Sequence, residues 1–333
     1  MINISAERLE QLKKAFNGLR IAVVGDMMLD CYFWGEVKRI SPEAPVPVLE
    51  VDNEFYRFGG ASNVALNIIK LGGIPFPIGV IGNDNDGRIF SSLINESNIN
   101  SSGLIIDQNR PTTAKTRVIA HNQHVVRIDK ESKAYLTQEI ENKLYSYFQD
   151  HIDEFDGIIL QDYNKGVLTA SLIEKIISLA NKKNKLITVD PKFNNFFSYK
   201  DVTVFKPNRK EAGDVLGLKI TTDAELKTAG NSILNKLNAK YVLLTLSEEG
   251  IAIFEKDKPE KRMPTKARKV ADVSGAGDTV IAVASLALAT NMPPALIAYI
   301  SNLAGGLVCE EAGVVPILLE KLKAEAYRIA RML

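Results

Sequence analysis

Arg20-Ile21-Ala22-Val23-Val24-Gly25 (RIAVVG) is a continuous apolar run that stops at a glycine. It is too short for a helix and rich in β-branched residues, the pattern of a strand buried on both faces. The pattern returns at residues 157–160, 186–189, 202–205 and 241–244. Between these runs, apolar residues recur at helical spacing over 63–71, 87–97, 137–151, 169–183 and 223–237. Strands alternating with helices demand βαβ crossovers, so the expected fold is α/β, a mostly parallel sheet covered on both faces.

Two stretches break the alternation. Residues 39–55 (RISPEAPVPVLEVDNEF) hold three prolines, which exclude helix and force extended backbone. Residues 112–129 alternate in a β-rich pattern around Ala120-His121-Asn122-Gln123, a hairpin signal. Neither has its own crossover helix, so strands at about 37–58 and 112–129 are expected to form a separate small sheet. Such a sheet would act as a lid, and its open side makes a homodimer through the lid the expected assembly. From Gly275 onward the pattern is helical. With no internal repeat or linker, residues 1–333 read as a single domain.

Forty-one basic residues balance 40 acidic ones, a net charge of +1, and no long block of one sign points to nucleic acid. The expected partners are small molecules. Cys31 and Cys309 lie far apart without CxxC spacing, so they read as free thiols. The N-terminal 19 residues read as an amphipathic helix rather than a secretion signal. Residues 280–289, the most apolar segment, fall short of the roughly 20 needed to cross a bilayer and read as a buried helix. The cytoplasm is the expected location.

The chemistry concentrates in Asp272-Val273-Ser274-Gly275-Ala276-Gly277-Asp278-Thr279, which opens that apolar helix. Glycines flanking a small residue admit a ligand close to the backbone, and free N–H groups at a helix start attract anionic oxygens. Gly275, Ala276 and Gly277 would thus form an anion hole for a migrating phosphoryl group, with Asp278 beside it as general base. A second glycine-led helix start, Gly59-Gly60-Ala61-Ser62-Asn63, offers an amide suited to vicinal hydroxyls. Asp30 follows the first strand's carboxyl end, where ligand groups gather in open α/β sheets.

Together these motifs resemble the two signatures of the ribokinase-like (PfkB-type) carbohydrate kinases, GGASNVALNI near residue 60 and DVSGAGDTVIA near residue 275. The resemblance covers essentially the whole chain and implies a ribokinase-like three-layer αβα sandwich. Through VVGDMMLD, RISPEAPVPVLEV, VVRID, DYNKGVL and VDPK it is similar to the branch that phosphorylates D-glycero-β-D-manno-heptose 7-phosphate. That likeness implies transfer from ATP to the anomeric hydroxyl, giving the 1,7-bisphosphate used in lipopolysaccharide-core precursor synthesis. Asn208 and Glu211 resemble the family's NxxE element, which organises Mg²⁺ through water; read by themselves, they are a helix capping box. Thr245, Glu248 and Gly250 resemble the nucleotide-phosphate turn, with Asn302 near adenine. Asp30, Gly59, Gly60, Asn63, Arg117, Arg127, Asp162, Lys165, Asp190 and Lys192 would serve the sugar phosphate. A monovalent cation is a further candidate cofactor.

Several positions depart from the branch pattern. Leu246 and Cys31 stand where basic residues are expected, His121 replaces an arginine, and Gly313-Val314-Val315-Pro316 lacks hydroxyl residues. These leave open another sugar or sugar phosphate as substrate, or a non-catalytic binder keeping the fold. The chain lacks the GxxxxGK[ST] phosphate loop and an HxGH-type motif, and its end at Leu333 is read as kinase activity alone. His121 and His124 lack further zinc ligands, and residues 82–87 read as a polar turn capping a helix.

Overall fold

The computed structural model describes residues 14–121, 123–265, 270–311 and 313–330. Most of the expected N-terminal helix, and Asn122 of the hairpin turn, lie outside these residues. Nine strands form the main sheet in the order β13-β12-β11-β10-β9-β8-β1-β4-β5. In sequence they are β1 (Arg20–Gly25), β4 (Ile74–Gly82), β5 (Leu104–Asp107), β8 (Gly157–Gln161), β9 (Leu186–Asp190), β10 (Val204–Phe205), β11 (Tyr241–Thr245), β12 (Ile251–Glu255) and β13 (Lys261–Met263). From β11 to β5 every neighbouring pair is parallel; the β11–β12 and β12–β13 pairs at one edge are antiparallel.

The first strand shows why two helical layers are needed. Ile21 and Val23 point into a core with the helices Gly60–Lys70, Ala276–Ala289 and Pro294–Val308. Ala22 and Val24 point into a second core with Gln138–His151, Ala170–Lys182 and Asp223–Leu237. Successive side chains on a strand face opposite ways, so an unbroken apolar run requires cover on both sides. Burying a polar residue inside the 280–289 segment costs little, because the Ser285 hydroxyl lies 2.6 Å from that of Thr188. Among the described residues no helix is long and apolar enough to cross a membrane.

The sequence pattern did not reveal β4, whose Pro75 and Pro77 argue against an internal strand. Its prolines lie in the half paired with β1 only; pairing with β5 begins at Gly79, so the missing N–H groups face an open edge.

The small sheet exists, in the order β3-β2-β6-β7, but it begins earlier than expected. β2 (Met27–Ile40) leaves β1 after a single residue and pairs with β3 (Pro47–Gly59) and β6 (Ala114–Ala120), and β6 pairs with β7 (Gln123–Lys130). The lid boundary near 37 is therefore corrected to 27: Met27 to Leu29 are buried and apolar, so they read as core although their backbone already belongs to the lid. Asp30 is thus a residue of the small sheet.

Candidate active site

The helix Ala276–Ala289 starts behind Gly275, whose φ of +79° is a conformation that side chains rarely adopt. A Cβ there would also come within 3.1 Å of the Asn63 amide nitrogen. No side chain caps this end, which leaves first-turn N–H groups for an anion or solvent. Asp278, in that turn, is 3% exposed. Its Oδ2 accepts from Asn63 Nδ2 at 2.7 Å; its Oδ1 accepts from the Tyr163 hydroxyl at 2.7 Å and Gln161 Nε2 at 3.1 Å. Burial pushes its carboxyl up to about 6, with Asp190 adding to the shift while the Asn63 and Tyr163 hydrogen bonds and Lys206 oppose it. That value suits a base working near neutrality.

The two glycine-led helices are tied together behind the site. Asn67, one turn after Asn63, donates to the Asn63 carbonyl and accepts from the Thr279 hydroxyl (3.1 Å) and Ile317 N (3.0 Å). This fixes Asn63 against Asp278. Gly59 stands against Asp30, where a Cβ would lie 2.8 Å from Oδ2, and Gly60 opens the helix.

A cavity of about 1020 Å³ adjoins the helix start and is lined by Ala276, Gly277, Tyr163, Asp190, Lys192 and Lys206, among others. Asp190 pairs with Lys206 at 3.0 Å, both buried, and accepts from Gln161 at 3.2 Å. Lys192 pairs with Glu211 and lies 5.3 Å from the Tyr163 ring centroid. Burial works against its charge, but Asp190 and Glu211 outweigh that and raise its pKa.

Further along the same cavity lie Asn208, Glu211, Thr245, Glu248, Gly250 and Asn302, which with Gly277 make seven of the eight positions expected at the nucleotide; Gly275 does not line it. Asn208 and Glu211 form the complete capping box, and Glu211 holds Lys192 with its other oxygen. A magnesium ion fits this donor set: it favours one or two carboxylates plus phosphate oxygens and water over an all-protein cage. Asn302 is engaged by Thr265 and by the Met263 and Pro264 carbonyls. Leu246 is buried in the second core, which leaves no place for a basic side chain.

The sugar-side residues divide. Asp30, 4% exposed, pairs with Arg117 at 2.5 Å, and Arg117 lies over the Tyr32 ring. Arg57, which sequence reading missed, stacks on Tyr32 and Phe55 and donates to the Val314 carbonyl at 2.9 Å. Of the ten residues assigned to the sugar phosphate, only Asp190 and Lys192 line the cavity; Asp30, Gly59, Gly60, Asn63, Arg117, Arg127, Asp162 and Lys165 do not. Asp162 is buried with its oxygens engaged by Tyr199 and Asn164 N. The exposed Arg127 forks onto Asp129, and Lys165 pairs with Glu131 at 2.7 Å. Cys31 is buried, its thiol pushed up to about 11 by desolvation, and His121 occupies the hairpin turn with φ +49°.

Gln161, Tyr163 and Lys206 also escaped the sequence reading. Gln161 and Lys206 end or follow strands just as Asp190 does, and position at a parallel strand's carboxyl end was the available signal.

The model of the pfkB family carbohydrate kinases matches residues 19–321. Bifunctional protein HldE of Helicobacter pylori (strain HPAG1) is 43% identical over 303 residues, 91% of this chain and 65% of that protein. Bifunctional protein HldE of Desulfatibacillum aliphaticivorans is 41% identical over 310 residues, 93% of this chain and 63% of that protein. The chain therefore spans less than two thirds of these relatives. In fold it is similar to phosphofructokinase-2 from Escherichia coli in complex with potassium, with a TM-score of 0.77, 19% identity, and coverage of 95% of this chain and 99% of that one. Arabidopsis thaliana ribokinase complexed with ribose and ATP gives a TM-score of 0.72 at 17% identity, covering 92% and 99%. With an α/β ribokinase-like fold and both glycine-led motifs meeting at Asp278, this chain belongs to the pfkB family of carbohydrate kinases and is a phosphotransferase.

Proposed function

We propose that the chain transfers the γ-phosphoryl group of ATP to the anomeric hydroxyl of D-glycero-β-D-manno-heptose 7-phosphate, giving the 1,7-bisphosphate. The observation that carries the reaction is the contact between the two motifs: Asn63 holds Asp278 at an uncapped helix start beside the large cavity. The choice of sugar rests on the RISPEAPVPV, DYNKG and VDPK resemblance.

An ionised carboxylate offers about four lone-pair positions. Three on Asp278 are filled, leaving one on Oδ2. In the reaction the sugar oxygen bonds to the γ-phosphorus, the bond to the β,γ-bridging oxygen breaks, and ADP leaves. The hydroxyl proton passes to Asp278 Oδ2. First-turn N–H groups and Lys192 meet the charge on the phosphoryl oxygens. Asn208 and Glu211 would hold Mg²⁺ through water, and the bound ion would supply further charge neutralisation. The lid excludes water, with Asp30 and Arg117 on its inner part facing the sugar.

The same reading includes a cytoplasmic location, consistent with two free thiols, and a homodimer through the lid, where Trp34, Val51, Val126 and Ile128 leave apolar surface exposed. A potassium ion accompanies one structural neighbour, and a monovalent cation belongs to the proposal for that reason.

A kinase for another sugar phosphate is the competing reading, favoured by the pairing of Lys165 with Glu131 and by Cys31, His121 and Leu246. ADP release across a panel of sugars and sugar phosphates separates the two. Heptose 7-phosphate should give the highest kcat/KM; a higher value with any other sugar would reject it as the substrate.

A further inference from the structure

We propose that Tyr163 and Gln161 are positioning residues that occupy one oxygen of Asp278 completely and so reserve the other for the substrate proton. The inference rests on the reading of Asp278 as general base. Oδ1 takes both the Tyr163 hydroxyl and the Gln161 amide, whereas among the described residues Oδ2 takes only Asn63. With two lone-pair positions per oxygen, Oδ1 is full and Oδ2 has one left.

Gln161 cannot be turned round. Its Nε2 lies between Asp278 Oδ1 and Asp190 Oδ2, and the reverse orientation would set a carbonyl oxygen against two carboxylates. The cost of this orientation is visible: Gln161 Oε1 is buried without a hydrogen-bond partner among the described residues. Packing alone does not call for an amide that leaves an acceptor unsatisfied, whereas holding two carboxylates at a fixed spacing does. Tyr163 is anchored equally firmly. Asp26 accepts from the backbone N–H groups of Tyr163 (2.8 Å), Lys165 (3.1 Å) and Val167 (3.2 Å), locking the loop that carries the phenol.

The charged and titratable groups around Asp278 are Asp190, Lys192, Lys206 and the Tyr163 phenol; Asn63 and Gln161 are neutral donors. A donor to the ionised carboxylate favours that form, so removing one raises the pH at which the base becomes protonated.

The test is kcat/KM against pH for Tyr163→Phe, Gln161→Met and Asp278→Asn. Tyr163→Phe keeps the ring beneath Lys192 and removes only the hydroxyl. It should move the acidic limb up by about one pH unit and lower the plateau about tenfold, with the melting temperature lowered by only a few degrees. Gln161→Met should shift the limb the same way if it folds; Tyr163→Phe decides the matter if it does not. An unshifted limb in Tyr163→Phe, with or without a lower rate, overturns the positioning role while inactive Asp278→Asn leaves the base in place. Near-normal turnover in Asp278→Asn instead removes the base reading itself.

Discussion

Asp278 and Asp30 are almost equally buried, yet the helix start and the lid hold them in opposite ways. Asp278 sits among neutral donors, Asn63, Gln161 and Tyr163, and burial leaves it titrating near neutrality. Asp30 is closed in an ion pair with Arg117, itself stacked on Tyr32. Neutral donors orient a carboxylate without neutralising it, so it can still take a proton; an arginine partner fixes both charge and direction. On the proposed reaction, the difference separates a group that takes a proton from one that recognises the sugar.

The sharpest way to break this contrast is Asp278→Asn. It should lower kcat by about a thousandfold or more while nucleotide affinity, read by calorimetry, changes little. Near-normal turnover would make both carboxylates recognition groups. Lys206→Met tests whether the neutral setting of the base depends on the ion pair next to it. Loss of the lysine leaves Asp190 buried without its cation and should cost about 3–5 kcal/mol, a fall of roughly 4–7 °C in melting temperature by calorimetric scan. No change would mean that Asp190 is already held neutral.

The pH profile sharpens the comparison further. In the proposed reaction Asp278 acts as the anion, and its carboxyl is pushed up to about 6, so kcat/KM should be level above that pH and fall about tenfold per unit below it. A flat profile down to pH 5 would remove the titrating base. The smallest effect is expected at the lid's outer surface. Arg127, exposed and forked onto its strand neighbour Asp129, should cost less than about 1 kcal/mol as Arg127→Ala, with little change in kcat/KM. A tenfold loss would bring the outer hairpin into the substrate site.

Much of the site was legible because it is local. The glycines that free a helix start, the aspartate in its first turn and the Asn208–Glu211 spacing each act within a few residues, so the linear pattern carries them. The residues that escaped reading act across distance: Gln161 joins Asp190 to Asp278, Tyr163 reaches a helix 115 residues away, and Lys206 has meaning only beside Asp190. Asp162 and Lys165 turn to Tyr199 and Glu131 instead, since position after a strand does not say which way a side chain turns.

By itself the sequence determined that strands and helices alternate, that the core strands need cover on both faces, and that two glycine-led turns open helices. Periodicity and short-range backbone chemistry suffice for those. Only the tertiary structure decided which donors surround Asp278, where β2 leaves the core to become lid, and which cations reach the cavity. Each of these depends on groups far apart in the chain meeting in a water-poor interior, where burial and neighbouring charge, rather than residue type, set what a carboxylate or an ammonium can do.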